Sequence, residues 1–346
     1  MEELVYPFDG RPEPGAAIDI APGIKWIRMP LPFALNHINL WLLEDDGGWV
    51  IVDTGLRWKK IRQLWEKVLA GVMGGRPVNR VIVTHYHPDH MGLAGSLCDR
   101  LKAPLWMSRA DYLMGQAMLL GREQGPSDQA VDFYRRCGFG EKALEAFARE
   151  GYSSFARAVE MPPPSFRAIA DGEELSIGGR IWRVLIRGGH APEHACLYCP
   201  AENILISGDQ VLPRISSNVS VYPMEPDANP LEDWFRALEL LLELPAEALV
   251  LPSHNEPFRG LHVRLRQLQK HHRDRLQAVT ESCTGGPKTV LELYAVLFGR
   301  RISGFEHMFA AGEALAHLHY LIEDGVLRRQ PGADGIDRFA AAGGRG

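Results

Sequence analysis

Apolar positions in the first 110 residues switch between two periods. The runs IKWIRMP, HINLWLLED and WVIVDTG predict strands, the last two joined across a Gly-Gly turn, and so an antiparallel opening. Residues 58–72 change to helical period, with Ile61, Leu64, Trp65, Val68, Leu69 and Val72 on one stripe, and RVIVT at 80–84 returns to strand. Strand, helix, strand implies a layered α/β arrangement with helices packed on sheet faces. After His90, GLAGSLCDRL predicts a short helix and APLWM a strand. Strand signals resume with the hairpin-like EELSIGGRIWRVLIR, then ACLYC and NILISGD. A helix follows from Pro230, with Asn229 as its cap, Pro230 in first position and Glu232 completing a capping box, and ALVLPSH is a final strand.

Two segments stand apart. Residues 108–160 read as a helical insertion: Ser108 and Asp111 resemble a capping box, Met107, Met114, Met118, Leu119 and Leu120 lie near its start, and three prolines at 162–164 close it. Such a segment either packs on the core or forms a Met-rich lid over a site. From Leu261 the pattern is helical three times over, to about Ser282, in TVLELYAVLFG and in GEALAHLHYLIEDG, and GVLRRQPGADGIDRFA reads as a hairpin. This predicts a small winged-helix-like domain over 261–340 beside an α/β domain over 1–260, with the AAAGGRG tail disordered. Leu315, Leu318 and Leu321 suit either core packing or a homo-oligomer contact.

The composition narrows the function. A chain of 346 residues with net charge −5 has no global positive field for a polyanion; residues 261–346 carry 12 Lys/Arg against 9 Asp/Glu, net +3, leaving −8 elsewhere. The start MEELVYPFDGRPEPG lacks the basic, apolar signature of an export signal, and no run approaches the roughly 18 apolar residues of a membrane span. A soluble protein is expected. Five cysteines, an odd number without the density of a disulfide scaffold, suit a reducing cytoplasm. Cys196 and Cys199 form a C-x-x-C, but a strand there points them to opposite faces, which favours a buried structural role over a metal or redox site.

The unusual count is 13 histidines, the commonest metal ligand among side chains. Thr84-His85-Tyr86-His87-Pro88-Asp89-His90 places four ligand-type side chains within six residues, after a strand and before a helix. In an extended segment His85 and His87 point the same way, and a turn at Pro88 brings Asp89 and His90 round the other side of the same space, a geometry for two adjacent cations. His190, Asp209 and His254 each follow the apolar run of a buried strand, where functional loops of α/β proteins gather.

These motifs, over residues 20–260, strongly resemble the metallo-β-lactamase superfamily, which also contains glyoxalase II, lactonases and certain ribonucleases. The resemblance implies an αββα sandwich of two mixed sheets faced by helices. It implies that His85, His87 and His190 bind a first metal, that Asp89, His90 and His254 bind a second, and that Asp209 bridges both. Asp53, from IVDTG, would orient a ligand histidine from outside the coordination sphere. His194 reads as structural, since the first histidine of its motif is the ligand. Antibiotic-hydrolysing members commonly have cysteine where this chain has Asp209, which argues against that activity, and Glu193 stands where related sequences often have Gly. The C-terminal part resembles the winged-helix domain of a branch that holds hydrolases and an endoribonuclease. It does not match the glutathione-binding part of glyoxalase II.

The leading expectation is a binuclear hydrolase of a thioester or ester, with zinc the expected metal and iron or manganese also compatible with N/O ligands. Asp89 and Asp209 are the expected catalytic carboxylates, Asp89 orienting the attacking water or accepting its proton. Tyr222, in the loop after Asp209, is a candidate oxyanion or substrate contact, and His37, in the ALNHINL loop, a candidate to face the site. A phosphodiesterase or ribonuclease using the winged helix for RNA is a second reading, opposed by the acidic first domain and by few aromatics for base stacking. A non-hydrolytic di-iron, sensor or interaction protein is a third. His262, His271, His272, His307, His317 and His319 read as helix-surface or packing residues.

Overall fold

The computed structural model describes residues 3–151, 153–299, 302 and 306–342. Strands β1 (Ala17–Ala21), β2 (Ile24–Pro30), β3 (His37–Asp45) and β4 (Gly48–Val52) pair antiparallel in succession. Helix α1 (Lys59–Lys67) carries the chain to β5 (Val78–Ile82), parallel to β4; α2 (Pro88–Met91) and α3 (Ala94–Leu101) lead to the parallel β6 (Leu105–Met107). Helices α4 (Arg109–Gln124), α5 (Asp128–Arg136), α6 (Glu141–Glu150) and α7 (Ser153–Ala158) intervene before β7 (Arg167–Ala168) ends a seven-stranded sheet ordered as in the sequence. The second sheet is built from β8 (Glu174–Ile177), β9 (Arg180–Arg187), β10 (His194–Cys199) and β11 (Ile204–Gly208), then, across α8 (Pro230–Leu241), the parallel β12 (Leu249–Pro252). Helices α9 (Leu261–Thr284), α10 (Tyr294–Phe298) and α11 (Glu306–Glu323) precede the hairpin β13 (Leu327–Pro331) and β14 (Asp337–Ala341).

Side-chain alternation sorts this chain into four layers. Trp26, Trp41, Val50 and Ile82 of the first sheet meet Trp182, Leu197, Ile206 and Leu251 of the second in a dry core between the sheets. The opposite face of the first sheet, with Leu40, Ile51 and Val81, packs on α1, α3, α4 and α7 through Ile61, Leu97, Tyr112 and Phe155. The opposite face of the second, with Leu185, Cys196 and Val250, packs on α8 and the C-terminal helices through Trp234, Leu265 and Leu318. This is the mixed α/β sandwich implied by the resemblance. Cys196 and Cys199 lie on opposite faces of β10, and all five cysteines are buried free thiols.

Several expectations need correction. Residues 108–160 are not a single unit: α4 and α7 pack on the first sheet, whereas α5 and α6 contribute Phe133, Tyr134 and Phe147 to the outer core of the second. The C-terminal helices also contribute to that outer core, and Arg136 of α5 pairs with Asp337 of β14 at 2.9 Å. Leu315, Leu318 and Leu321 are buried within it, so the chain itself covers them. Ala340 and Ala341, read as part of a disordered tail, belong to β14; residues 343–346 lie outside the described residues. His37 is not in a loop but is the first residue of β3. The short edge strands β1 and β7 were not signalled by the pattern. Among the described residues no helix is long and apolar enough to cross a membrane.

Burial also fixes a chain of neutral histidines between α9 and α11. His317 Nδ1–H donates to Glu313 O at 2.7 Å, so its Nε2 accepts from His272 Nδ1–H at 3.2 Å, and His272 Nε2 accepts in turn from Ser216 Oγ at 3.0 Å. Burial, and then neighbouring charge, holds His272 down to about 2 and His317 to about 4. Below the usual histidine value of about 6.5 the unfolded chain takes up protons that the fold refuses, so stability is full above that pH and falls as pH drops from about 6.5 towards 4. Urea unfolding at pH 7.5 and pH 5 should show this loss. In a variant with His272→Gln and His317→Gln the loss should be smaller; an identical pH dependence in wild type and variant would refute the assignment.

Candidate metal centre

The C-terminal ends of β4, β5, β9, β11 and β12 open onto one end of the sandwich, and the predicted ligands sit on the turns that follow them. Past β5, His87 caps α2 and Pro88 takes its first position, which turns the chain so that Asp89 and His90 leave on a new heading. Gly208, at the end of β11, has φ +54°, and a Cβ there would lie 2.4 Å from His194 Nε2; only glycine lets the backbone pass that ring to deliver Asp209.

The structure brings all seven predicted ligands together. His85, His87, His190 and Asp209 offer ligand atoms within 4.8 Å of one another, and so do Asp89, His90 and His254. Asp209 faces both groups: its Oδ2 lies 3.5 Å from His190 Nε2, while its Oδ1 lies 3.5 Å from His90 Nε2 and 3.3 Å from His254 Nε2. Asp89 Oδ2 is 3.4 Å from His254 Nε2. His85, His90 and His254 are essentially inaccessible, whereas Asp89 keeps 20% of its side chain exposed.

Proton accounting tests whether these residues fit cations. Asp53 is a pure acceptor, so Thr84 Oγ1 donates to it at 2.9 Å and accepts from His85 Nδ1–H at 3.1 Å, which leaves a lone pair on His85 Nε2. His190 Nδ1–H donates to Asn218 O at 2.8 Å, leaving a lone pair on His190 Nε2. Those two nitrogens face each other at 3.2 Å, and His87 Nδ1 is 3.0 Å from His85 Nε2. On the other side, His90 Nε2 and Asp209 Oδ1 are both buried without a hydrogen-bond partner. Converging lone pairs, beside a buried imidazole nitrogen and a buried carboxylate oxygen without hydrogen-bond partners, are what divalent cations satisfy, and the imidazole and carboxylate donor set suits them.

The electrostatics agree. Burial, then neighbouring imidazoles, holds His85 well below the usual histidine range and His87 down to about 3, so both present neutral nitrogens. At His90 burial is outweighed by Asp53, Asp209 and Asp89, which hold it well above that range; at His254 burial is again outweighed, Asp209 leading, and the value reaches about 10. A bound cation would displace those protons.

Each buried imidazole is anchored from behind. Asp53 Oδ2 lies 2.8 Å from His90 Nδ1, the position expected of it, and its Oδ1 accepts from Thr84 N at 2.8 Å. His254 Nδ1–H donates to His37 O at 2.7 Å, and His37 Nε2 accepts from Asn255 N at 2.7 Å. His37 therefore braces the His254 turn. Tyr222 is half-buried and shares hydrogen bonds with Ser220 and with Tyr86, whose ring is 4.6 Å from that of His87. His194 accepts from Asp209 N at 3.1 Å and belongs to neither ligand group.

Sequence reasoning missed Thr84, Asn218 and above all Asp111. The expected capping box does not form, since Ser108 makes no side-chain cap and its hydroxyl donates to Asp111 at 3.3 Å; the fully buried Asp111 carboxylate also accepts from Tyr86 N at 3.0 Å and Glu193 N at 2.7 Å, pinning the loops of His85 and His190 to one another. Glu193 returns the contact, accepting from Ala110 N at 2.8 Å in the first turn of α4. Burial raises Asp111 to about 6 even so. The Ser-x-x-Asp signal was visible, but not that its carboxylate would serve two distant loops.

Residues 35–254 match the family described as metallo-beta-lactamase superfamily, and residues 276–342 that described as metallo-beta-lactamase-like, C-terminal domain. The chain belongs to the metallo-β-lactamase superfamily of hydrolases. Its fold is similar to a beta-lactamase domain protein from Burkholderia ambifaria, 43% identical, with TM-score 0.90 and 98% of each chain covered. It is 25% identical over 283 residues to a probable metallo-hydrolase, YqjP, of Bacillus subtilis, covering 79% of this chain and 84% of that protein. It is also 26% identical over 247 residues to the acyl-coenzyme A thioesterase MBLAC2 of Gallus gallus, covering 68% and 79%.

Removing the anchor of one ligand should weaken metal retention without removing a ligand. Asp53→Ala is expected to lower divalent-metal affinity about 10- to 100-fold, measured by competition with a chromophoric chelator. Unchanged affinity would contradict the role given to Asp53.

Proposed function

We propose that the protein is a binuclear metal-dependent hydrolase of thioesters or esters, with zinc as the metal and iron or manganese as the alternatives. The observation that carries this reading is the Asp209 carboxylate, which turns one oxygen towards each of two ligand groups. His85, His87 and His190 would hold one ion, Asp89, His90 and His254 the other, and Asp209 both. Two divalent ions so placed supply Lewis acidity towards a carbonyl oxygen and a water acidified towards neutral pH.

The chain's own residues do the rest. Asp89, the more exposed of the two site carboxylates, orients the attacking water and accepts its proton. Asp209, backed by His194 on its amide, keeps its position while charge shifts across the site. Tyr222, hydrogen-bonded to Tyr86 and Ser220, steadies the Tyr86 ring that meets His87 edge to face. A thiolate leaves with little help from an acid, since thiol pKa values lie near 8.5, so this residue set suits a thioester. Similarity to an acyl-coenzyme A thioesterase supports the same class. Helix α4 supplies apolar surface for an acyl group: Leu113 and Leu120 are exposed beside the half-buried Met114 and Met118, and Gly115 packs against Met91 and Tyr86 next to the ligand loop.

In this reading α9 to α11 and the β13–β14 hairpin are a winged-helix-like module, and the five buried thiols suit a reducing cytoplasm. Metal-loaded protein should hydrolyse members of a panel of acyl-coenzyme A thioesters, carboxyl esters and lactones, thioesters best. His87→Ala should lower kcat/KM by more than about 100-fold, since loss of a ligand exceeds the cost of losing its support, with circular dichroism unchanged. Absence of turnover across the panel would refute the assignment.

A further inference from the structure

The segment between Asp209 and α8 is gripped by the C-terminal helices at the point where it supports a ligand. Asn218 O accepts from His190 Nδ1–H at 2.8 Å, the bond that leaves the His190 Nε2 lone pair facing the site. The Asn218 side chain is held on both sides: its Nδ2 donates to Glu313 Oε2 of α11 at 3.3 Å, and its Oδ1 accepts from Ser220 Oγ at 2.5 Å. Ser220 Oγ also lies 3.2 Å from Phe309 O, and Val221 N donates to Gly312 O at 3.1 Å. A Cβ on Gly312 would lie 2.7 Å from Val221 O, so α11 and this segment meet backbone to backbone. Glu313 is mostly buried and is bound by Arg275 of α9. A buried ion pair is weak evidence for stability, because desolvation offsets much of its attraction, but it fixes geometry, and here it faces the amide next to a ligand's anchor.

We propose that Glu313, held by Arg275, is a positioning residue for His190, so that the C-terminal module sets the geometry of the first ligand group through Asn218. This inference rests on the metal-centre reading above. Loss of the carboxylate frees the Asn218 amide, its carbonyl drifts from His190 Nδ1, and the ring loses the orientation that aims Nε2 at His85 and His87.

The test is Co(II) titration of metal-free full-length protein, followed by visible absorption. Wild type should take up two ions. Glu313→Ala and Asn218→Ala should each weaken one of the two about 10- to 100-fold and shift its cobalt spectrum, with the other ion unaffected. The double variant should be no worse than either single, as expected for residues in one path. Glu313→Gln, whose one amide oxygen can accept from Asn218 but then faces Arg275 with its NH2 group, should restore only part of the lost affinity. Variants that keep both affinities and spectra overturn the proposal, as do variants that loosen both sites alike, which indicates general destabilisation. If Glu313→Ala fails to fold, Asn218→Ala, which leaves the Arg275–Glu313 pair intact, decides. Wild-type protein that takes up no cobalt would instead overturn the metal-centre reading.

Discussion

Imidazole nitrogens that converge on common points are the constraint around which this molecule is arranged. His85 Nε2 and His190 Nε2 face each other at 3.2 Å because the far nitrogen of each ring has spent its hydrogen on an anchor, Thr84 in one case and Asn218 in the other. Such a cluster is unfavourable on its own and persists only where the surroundings over-determine it. The surroundings here are two sheets whose strands end together. The dry layer of Trp26, Trp41 and Trp182 between them fixes the relation of Asp53 and His85, on the first sheet, to His190, Asp209 and His254, on the second.

Cross-links between distant segments then set the finer geometry. Asp111 and Glu193 exchange hydrogen bonds between α4 and the His190 loop, and Asp111 holds Tyr86 in the same carboxylate. His37 closes the His254 turn from β3. The helices outside the second sheet continue the pattern, since α5, α6 and the C-terminal helices share one core and reach the site through the segment after Asp209. Parts of the chain that look peripheral in sequence are thus part of the scaffold of the centre.

What could be read from the sequence follows from how local each signal was. His85, His87, Asp89 and His90 lie within six residues, and the turn that separates their headings is announced by Pro88, so the box was plain. His190, Asp209 and His254 were legible as polar residues ending apolar runs. The capping role of Asn229 on Glu232 is likewise local. Asp111 was visible only as a possible cap, because its partners Tyr86 and Glu193 are 25 and 82 residues away. Asn218 acts through its backbone carbonyl, which no side-chain pattern reveals. His37 holds the His254 turn by its carbonyl as well as by its ring, and a main-chain contact leaves no mark in a side-chain pattern. The shared outer core escaped notice because amphipathic stripes show that a helix is covered, not by what.

Two groups of ligands with Asp209 between them would hold two cations at one end of this sandwich. Metal analysis of purified protein by mass spectrometry, with an optical spectrum of the same sample, tests it most directly. Two divalent ions per chain are expected in wild type, colourless if zinc, and one or fewer in Asp209→Ala. A wild-type protein that retains no metal, or a single ion undisturbed by Asp209→Ala, would contradict it.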